Sequence, residues 1–405
     1  MNKSLVEQRQ IIRKNIIFNH IRKNNGLLSR NDITRITNYS MTTVASLVDS
    51  LTAEGLVQET ESSDSRVGRR PLLLSVTPDS ILFAGIDCTI SNINITVINC
   101  LEEVVYEHTL SQNIADASDM LDAIENSIRF LRDQNPQLWQ RLENITIGLP
   151  GKTDTKSGIG ISFLSIKDWH SVDVLGFLSP KFDKNFFILN NVDAMVMGYQ
   201  ASANLDKDHI TLFILLRRGV GIKLFSKGNL MSDYGVICEF GHLQAKNSNR
   251  LCSCGKRGCY DTEISQTGIL NKLREAVSAH QFSELSKILK DSTESATFEC
   301  FLNLIRTGNT AAMEIFNETA AHIAELLATA LLIFSPDRIV LSSEMCRLED
   351  IFKHTVESIL DKKLPPVYPV MKPHMEYILP SSYLCSKGAA IVGLNKKFHT
   401  LADIT

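Results

Sequence analysis

His242, Cys252, Cys254 and Cys259 place one imidazole and three thiols within eighteen residues, in the spacing His-x9-Cys-x-Cys-x4-Cys. Four nitrogen and sulfur donors are what a tetrahedral Zn²⁺ requires. Gly255 and Gly258 lie between the last two cysteines and let the chain fold tightly around an ion. Four protein ligands close the coordination shell, whereas a catalytic zinc keeps one position open. The pattern therefore predicts one structural Zn²⁺ per chain. The competing reading is a set of buried free cysteines beside a core histidine.

The elements that must carry this cluster belong to a chain of 405 residues, enough for two or three domains. Of its nine cysteines, three are in the cluster; the others stand singly, several within apolar stretches (Cys88, Cys100, Cys300). That usage suits a reducing cytoplasm better than a disulfide framework. The polar, charged N-terminus has no apolar core of a signal peptide. The longest apolar stretch, Leu326 to Phe334, is far short of the roughly 20 residues of a membrane span. A cytoplasmic protein without membrane insertion is expected. Net charge is −3, unevenly spread: residues 1–76 hold 11 basic and 7 acidic side chains, and the rest hold 31 and 38. A basic head on an acidic body fits DNA binding.

The head has its own pattern. Residues 7–23 space Ile11/Ile12, Ile16/Ile17 and Ile21 as a helix, ended by Asn24-Asn25-Gly26. Ser29 is placed to cap a second helix with Asp32 in its first turn, and Ile33 and Ile36 are expected inward. After the turn Thr37-Asn38-Tyr39, Ser40 is placed to cap a third helix with Val44, Leu47, Val48 and Leu51 inward. Two short helices across a tight turn form a helix-turn-helix, whose second helix enters the major groove by its first turn. There Ser40, Thr42, Thr43 and Ser46 can donate to phosphates or base edges, giving positioning more than specificity. A wing follows: Leu56–Thr60, a polar tip, then Leu72–Val76, with Gly68-Arg69-Arg70-Pro71 between. Arg69 and Arg70, held extended before a proline, suit a narrow minor groove. The alternative for this segment is a small helical oligomerisation domain.

From Ile81 onward short apolar runs alternate with helical stretches: Leu82–Ile86, Ile93–Ile98, Ile145–Gly148, Phe186–Leu189, Leu212–Leu216 and Arg338–Leu341. This is the pattern of an α/β body. Thr310–Phe334 reads as one long helix with Ile315, Ala320, Ile323, Leu327 and Leu331 inward, serving a core or a dimer interface.

Glu239-Phe-Gly-His242 followed by Cys252-x-Cys-Gly-x-x-Gly-Cys259 resembles the zinc signature of the ROK family of repressors, open reading frames and kinases. The order of motifs is similar to that of the family's glucose and N-acetylglucosamine repressors. The resemblance implies a winged helix-turn-helix (1–78) followed by a two-lobe, actin-like body of the sugar-kinase, RNase H-like kind. The first lobe would comprise 79–200 with 386–405, and the second, with the zinc loop and a dimer interface, 201–385. It implies His242, Cys252, Cys254 and Cys259 as zinc ligands, and Asn190, Asn191, Glu239, His242 and Asp261 as contacts to a sugar or sugar-phosphate effector. Asp261 stands where the family usually has Glu, one CH₂ longer. Gly148-Leu-Pro-Gly151 resembles the first-lobe turn, and Trp169 after it is placed either to stack on a sugar or to pack.

The phosphate-handling places depart from the kinase pattern. Asp87-Cys-Thr-Ile-Ser91 lacks the glycines of a DxGGT-like turn, Arg217-Arg-Gly-Val-Gly-Ile-Lys223 departs from GTGxGGG, and Ser342-Ser343 replaces a glycine pair. Close approach of backbone N–H groups to phosphate needs glycine. In Asn190-Asn191-Val-Asp-Ala194 an amide, Asn191, stands at the position of the family's catalytic Asp, and an amide is no general base. The expectation is a repressor of carbohydrate genes with no ATP bound and no catalysis, paired as a homodimer or tetramer on double-stranded operator DNA. The alternatives are an active sugar kinase with a DNA-binding head, or a repressor controlled by a sugar-transport protein.

Overall fold

The computed structural model describes residues 2–61, 72–163, 166–203, 209–226, 229–231, 239–278, 293–365 and 372–399. The chain divides into two units, Met1–Ser202 with Ser382–Thr405, and Ala203–Ser381. No helix among the described residues is long and apolar enough to cross a membrane.

The first unit begins with α1 (Asn2–Lys23), β1 (Leu28–Ser29), α2 (Arg30–Thr37), α3 (Met41–Ala53), β2 (Val57–Glu61) and β3 (Leu72–Val76). Ser29 and Asp32 form a reciprocal capping box at α2, which satisfies two otherwise orphaned backbone donors. Asn38 adopts a left-handed conformation (φ 57°) that stops α2. Three residues later α3 starts, its Thr43 N–H donating to Ser40 Oγ at 3.2 Å. Val44, Val48 and Leu51 are buried beneath it, with Ile17, Phe18, Ile21 and Ile33. Leu47 is partly buried against the same cluster. One expected core position is corrected: Ile36 is 45% exposed. It lies at the edge of its stripe, where periodicity does not decide which side faces inward. The strands form an antiparallel sheet in the order β1-β3-β2, with Val57 opposite Val76. Arg69 and Arg70 lie outside the described residues.

The same unit continues through β4 (Leu82–Cys88), β5 (Asn92–Ile98), β6 (Val104–Ser111), α4 (Ala117–Gln134), α5 (Pro136–Arg141), β7 (Leu142–Leu149), β8 (Lys152–Asp154), β9 (Ile159–Ser162), β10 (His170–Asp173), α6 (Val174–Leu178), β11 (Asn185–Asn190) and α7 (Asn191–Ala203). The main sheet runs β11-β7-β4-β5-β6, parallel from β11 to β4 and antiparallel beyond. The C-terminal helix, Ser382–Lys397, lies on this sheet. Its approach is so close that a Cβ on Gly85 would overlap the Ser386 carbonyl, and one on Gly388 the Ala194 carbonyl of α7. The far end of this helix meets α1. Phe398 stacks on Phe18 with ring centroids 4.0 Å apart, and Asn19 Nδ2 donates to the Phe398 carbonyl at 2.8 Å. The N-terminal module therefore shares one core with the body, including Phe83, Ile98 and Leu394.

The second unit holds β12 (Thr211–Leu216), β13 (Val220–Ser226), β14 (Asn229–Leu230), α8 (Asp261–Ile264), α9 (Gln266–Ser278), α10 (Glu294–Arg306), α11 (Thr310–Phe334), β15 (Arg338–Ser343), α12 (Asp350–Lys363) and β16 (His374–Ile378). Its sheet order is β14-β13-β12-β15-β16. The expected inward stripe of α11 is buried at Ile315, Ala320, Ile323, Leu327 and Leu331.

Candidate functional site

The segment 239–259 leaves β-structure and folds around its own side chains. Phe240–His242 form one turn of 3-10 helix. Bridges Gln244–Cys259 and Leu251–Arg257 then fold the loop back on itself. Gly255 and Gly258 take φ values of 87° and 74°, a region that side chains with a Cβ disfavour. A Cβ on Gly258 would also overlap the Gln244 amide and the Ser248 carbonyl.

This folding brings all four expected ligands together. One donor atom from each of His242, Cys252, Cys254 and Cys259 lies within 4.8 Å of the others. His242 Nδ1 is 3.7 Å from Cys252 Sγ, and Cys254 Sγ is 3.7 Å from Cys259 Sγ. A tetrahedron with Zn–S bonds of about 2.3 Å has S···S edges of about 3.8 Å, so the cluster has the dimensions of a four-coordinate metal centre. Its electrostatics make the same demand. Burial, reinforced by the neighbouring sulfurs, pushes the Cys259 thiol up to about 12, and burial also raises Cys252, while at Cys254 hydrogen bonds outweigh burial and lower the thiol. Thiols massed in this way do not all ionise without a cation. The cluster can hold a metal ion.

Around it, Glu239 is exposed and His242 half-buried. Asp261 Oδ1 accepts the Val220 N–H at 2.9 Å, which fixes the carboxylate against the turn after β12. Burial raises the Asp261 pKa, and the Val220 hydrogen bond offsets this in part. In the first unit, Asn190 closes β11 and Asn191 opens α7. The Asn190 side chain donates to the Gly151 carbonyl at 2.6 Å and accepts the Val192 N–H at 2.9 Å. It already has backbone partners on both its nitrogen and its oxygen. Trp169 is completely buried, and a Cβ on Gly160 would touch its indole at 2.7 Å; it packs and does not stack on a sugar.

Each altered phosphate-handling segment carries local structure of its own. Thr89 N–H donates to the Asn92 carbonyl at 3.0 Å, Arg217 N–H to the Gly219 carbonyl at 3.1 Å, and Met345 N–H to Ser343 Oγ at 3.2 Å. At the head, Ser40, Thr42 and Ser46 are exposed and Thr43 half-buried on the first turns of α3. Sequence reasoning missed one polar group entirely: the fully buried carboxylate of Glu263 and its partners Ser248, Arg250 and Lys272. A Glu in an ordinary helical stretch gives no signal of burial, because charged side chains are almost always exposed.

The sequence pattern of the ROK family spans residues 83–389, and the chain belongs to that family. A xylose repressor of Caldicellulosiruptor bescii is 24% identical over 345 residues, covering 84% of this chain and 85% of the relative. A glucokinase of Thermotoga maritima is 29% identical over 224 residues, 55% of this chain and 70% of the relative. Among solved structures, a ROK family transcriptional regulator described as a homologue of the Escherichia coli MLC protein superposes with a TM-score of 0.79. It covers 96% of this chain and 97% of its own at 17% identity, a likeness of fold. The relatives thus include both a named repressor and a kinase.

Proposed function

We propose that this protein is a sugar-responsive, DNA-binding transcriptional repressor, a winged helix-turn-helix joined to a ROK body that performs no phosphoryl transfer. The carrying observation is the N-terminal module: two short capped helices across a three-residue turn, backed by a three-stranded antiparallel sheet. In this reading α3 enters the major groove, with Ser40, Thr42, Thr43 and Ser46 against the duplex. Arg69 and Arg70 reach the minor groove. The alignment with the xylose repressor over 84% of the chain supports it.

The metal is Zn²⁺, with a structural role: three sulfurs and one nitrogen suit it, and four protein ligands leave no open position. His242 faces the cluster through Nδ1, so Nε2 remains as the ring nitrogen for a sugar hydroxyl. The effector is a sugar or sugar phosphate; the residues we assign to it are Glu239, His242 and Asp261 in the second unit and Asn190 and Asn191 in the first. Asn191 lacks a proton-accepting carboxylate, the segments at 87–91 and 342–343 lack the pattern's glycines, and 217–223 keeps only Gly219 and Gly221, so the body is a degenerate kinase. The protein acts in the cytoplasm as a homodimer or tetramer, since paired half-sites match paired heads.

The test is binding to DNA flanking the protein's own gene at two salt concentrations, with and without a panel of sugars and sugar phosphates. Selective, salt-dependent binding released by one sugar supports the reading. Selective binding that no sugar alters moves the signal to a protein partner such as a sugar-transport component. Absence of selective binding sinks the assignment of the head. The glucokinase relative favours a second reading, an active sugar kinase, which ATP-dependent phosphorylation by the pure protein would establish.

A further inference from the structure

Glu263 sits four residues after Cys259, in α8, and is fully buried. Its carboxylate accepts hydrogen bonds from Ser248 Oγ and from Arg250 Nη1 at 3.0 Å, and pairs with Lys272 Nζ at 2.8 Å. Ser248 and Arg250 belong to the loop between His242 and Cys252; Lys272, itself 3% exposed, belongs to α9. Lys272 Nζ also lies 3.2 Å from Glu318 Oε1 on α11, and Arg250 Nη2 lies 3.1 Å from Glu275. One carboxylate thus ties the ligand-bearing loop to two core helices.

Glu263, Glu318 and His322 also lie close enough to hold a cation. The Lys272 ammonium, 2.8 and 3.2 Å from the two carboxylates, already fills that place. Burial pushes the Glu263 pKa up, but Lys272, Ser248 and Arg250 together bring it below the usual carboxylate range. A buried carboxylate is tolerated only when so paired. The loop itself contains Gly255 and Gly258, which lose more conformational freedom on ordering than other residues, a cost that bonds to the loop must offset.

We propose that Glu263, with Lys272 and Arg250, is a positioning strut that holds the 242–259 loop in its metal-ready geometry and thereby sets how fast the metal leaves. The inference rests on the Zn²⁺ reading of the cluster. Groups that orient metal ligands from outside the coordination shell commonly change metal affinity about 10–100-fold when removed.

The experiment loads the full-length protein with zinc and follows its release to an excess of a chromophoric chelator, with circular dichroism recorded on the same samples. The variants are Glu263→Gln/Lys272→Met, which removes both members of the buried pair and leaves Arg250 to Glu275 and Glu318 to His322, and Ser248→Ala, which deletes one hydrogen bond from the loop to the buried carboxylate. Glu299→Gln is the control: it breaks the Arg347 ion pair of α10 (2.7 Å), which involves neither the loop nor the partners of Glu263. The double variant is expected to release zinc about tenfold faster, Ser248→Ala a few-fold faster, and Glu299→Gln at the wild-type rate. Release from folded Ser248→Ala and double-variant protein within twofold of wild type overturns the strut while leaving the metal reading intact. Equal acceleration by Glu299→Gln also overturns it, because general loosening would then suffice. Wild-type protein that binds no zinc overturns the metal reading, and the strut with it.

Discussion

Replacing Phe398 by alanine should uncouple the N-terminal module from the body. Phe398 is 4% exposed and stacks on the fully buried Phe18 at 4.0 Å and 25°, with Phe83 edge-on at 6.2 Å. Deleting a buried Phe ring typically costs about 3–5 kcal/mol. Phe398 follows the last turn of the C-terminal helix, where neighbours can partly collapse into the space, so about 3 kcal/mol is expected. That is a large share of the roughly 5–15 kcal/mol that holds an ordinary domain together, and about a 140-fold shift in opening, at about tenfold per 1.4 kcal/mol. Two units make a single melting curve a poor measure. Hydrogen exchange read at α1 and at the C-terminal helix reports the local cost directly. Protection should fall in both helices together and stay unchanged in α11 of the second unit. Phe18→Ala should do the same, and the double variant should cost about 1 kcal/mol less than the two singles added, the interaction expected of an aromatic pair. A loss below about 1 kcal/mol at α1, or strict additivity of the two substitutions, would refute the shared core.

Three further outcomes are expected. Chelating the metal, or changing Cys259→Ser, should lower the melting temperature of the second unit and abolish the effector response; loss of a ligand held at 100 times its Kd removes about 2.7 kcal/mol, and a chelated sample that melts unchanged counts against the centre. Ser40→Ala should cost about 1 kcal/mol of helix stability, whereas Ser40→Asp should keep the cap yet weaken DNA binding by adding negative charge beside phosphates; fluorescence anisotropy with labelled operator separates the two. Glu318 is held down at about 2, first by its hydrogen bond to His322 and then by Lys272. A depressed carboxylate contributes stability that is present above its unfolded value near 4.5 and lost as pH falls toward 2. Because Glu318 is 46% exposed, solvent screening keeps the contribution small. Acid titration of wild type against Glu318→Gln should show the difference closing between pH 4.5 and 2, and a difference that widens there rules out the assignment.

What the sequence disclosed depended on how locally each feature is encoded. The four metal-ligand candidates are spaced within one loop, and glycines at 255 and 258 mark the turns that bring them together. The caps at Ser29 and Ser40 are encoded within four residues, and both form. The buried strands announce themselves as apolar runs, and each expected run falls within a strand: Leu82–Ile86 in β4, Ile145–Gly148 in β7, Leu212–Leu216 in β12. β6 gives no such signal, because its alternating pattern leaves five of its eight residues at the surface and no apolar run marks it.

The remaining features join residues that only the fold brings together. Phe18 meets Phe398 across almost the whole chain, and neither stretch has a pattern that specifies the other. The contrast between Asp261 and Glu263 makes the point within three residues. Asp261 was legible because a family motif assigns that position a role. Its neighbour lies on the same short helix, yet it turns inward to Lys272 and the loop at 248–250. Its partners occur nine residues later on another helix and thirteen to fifteen residues earlier on the loop, at spacings that satisfy no periodic template. A buried charge is stable only as part of a complete set of partners, so the structural role belongs to the set, and the set exists only once the second unit has folded.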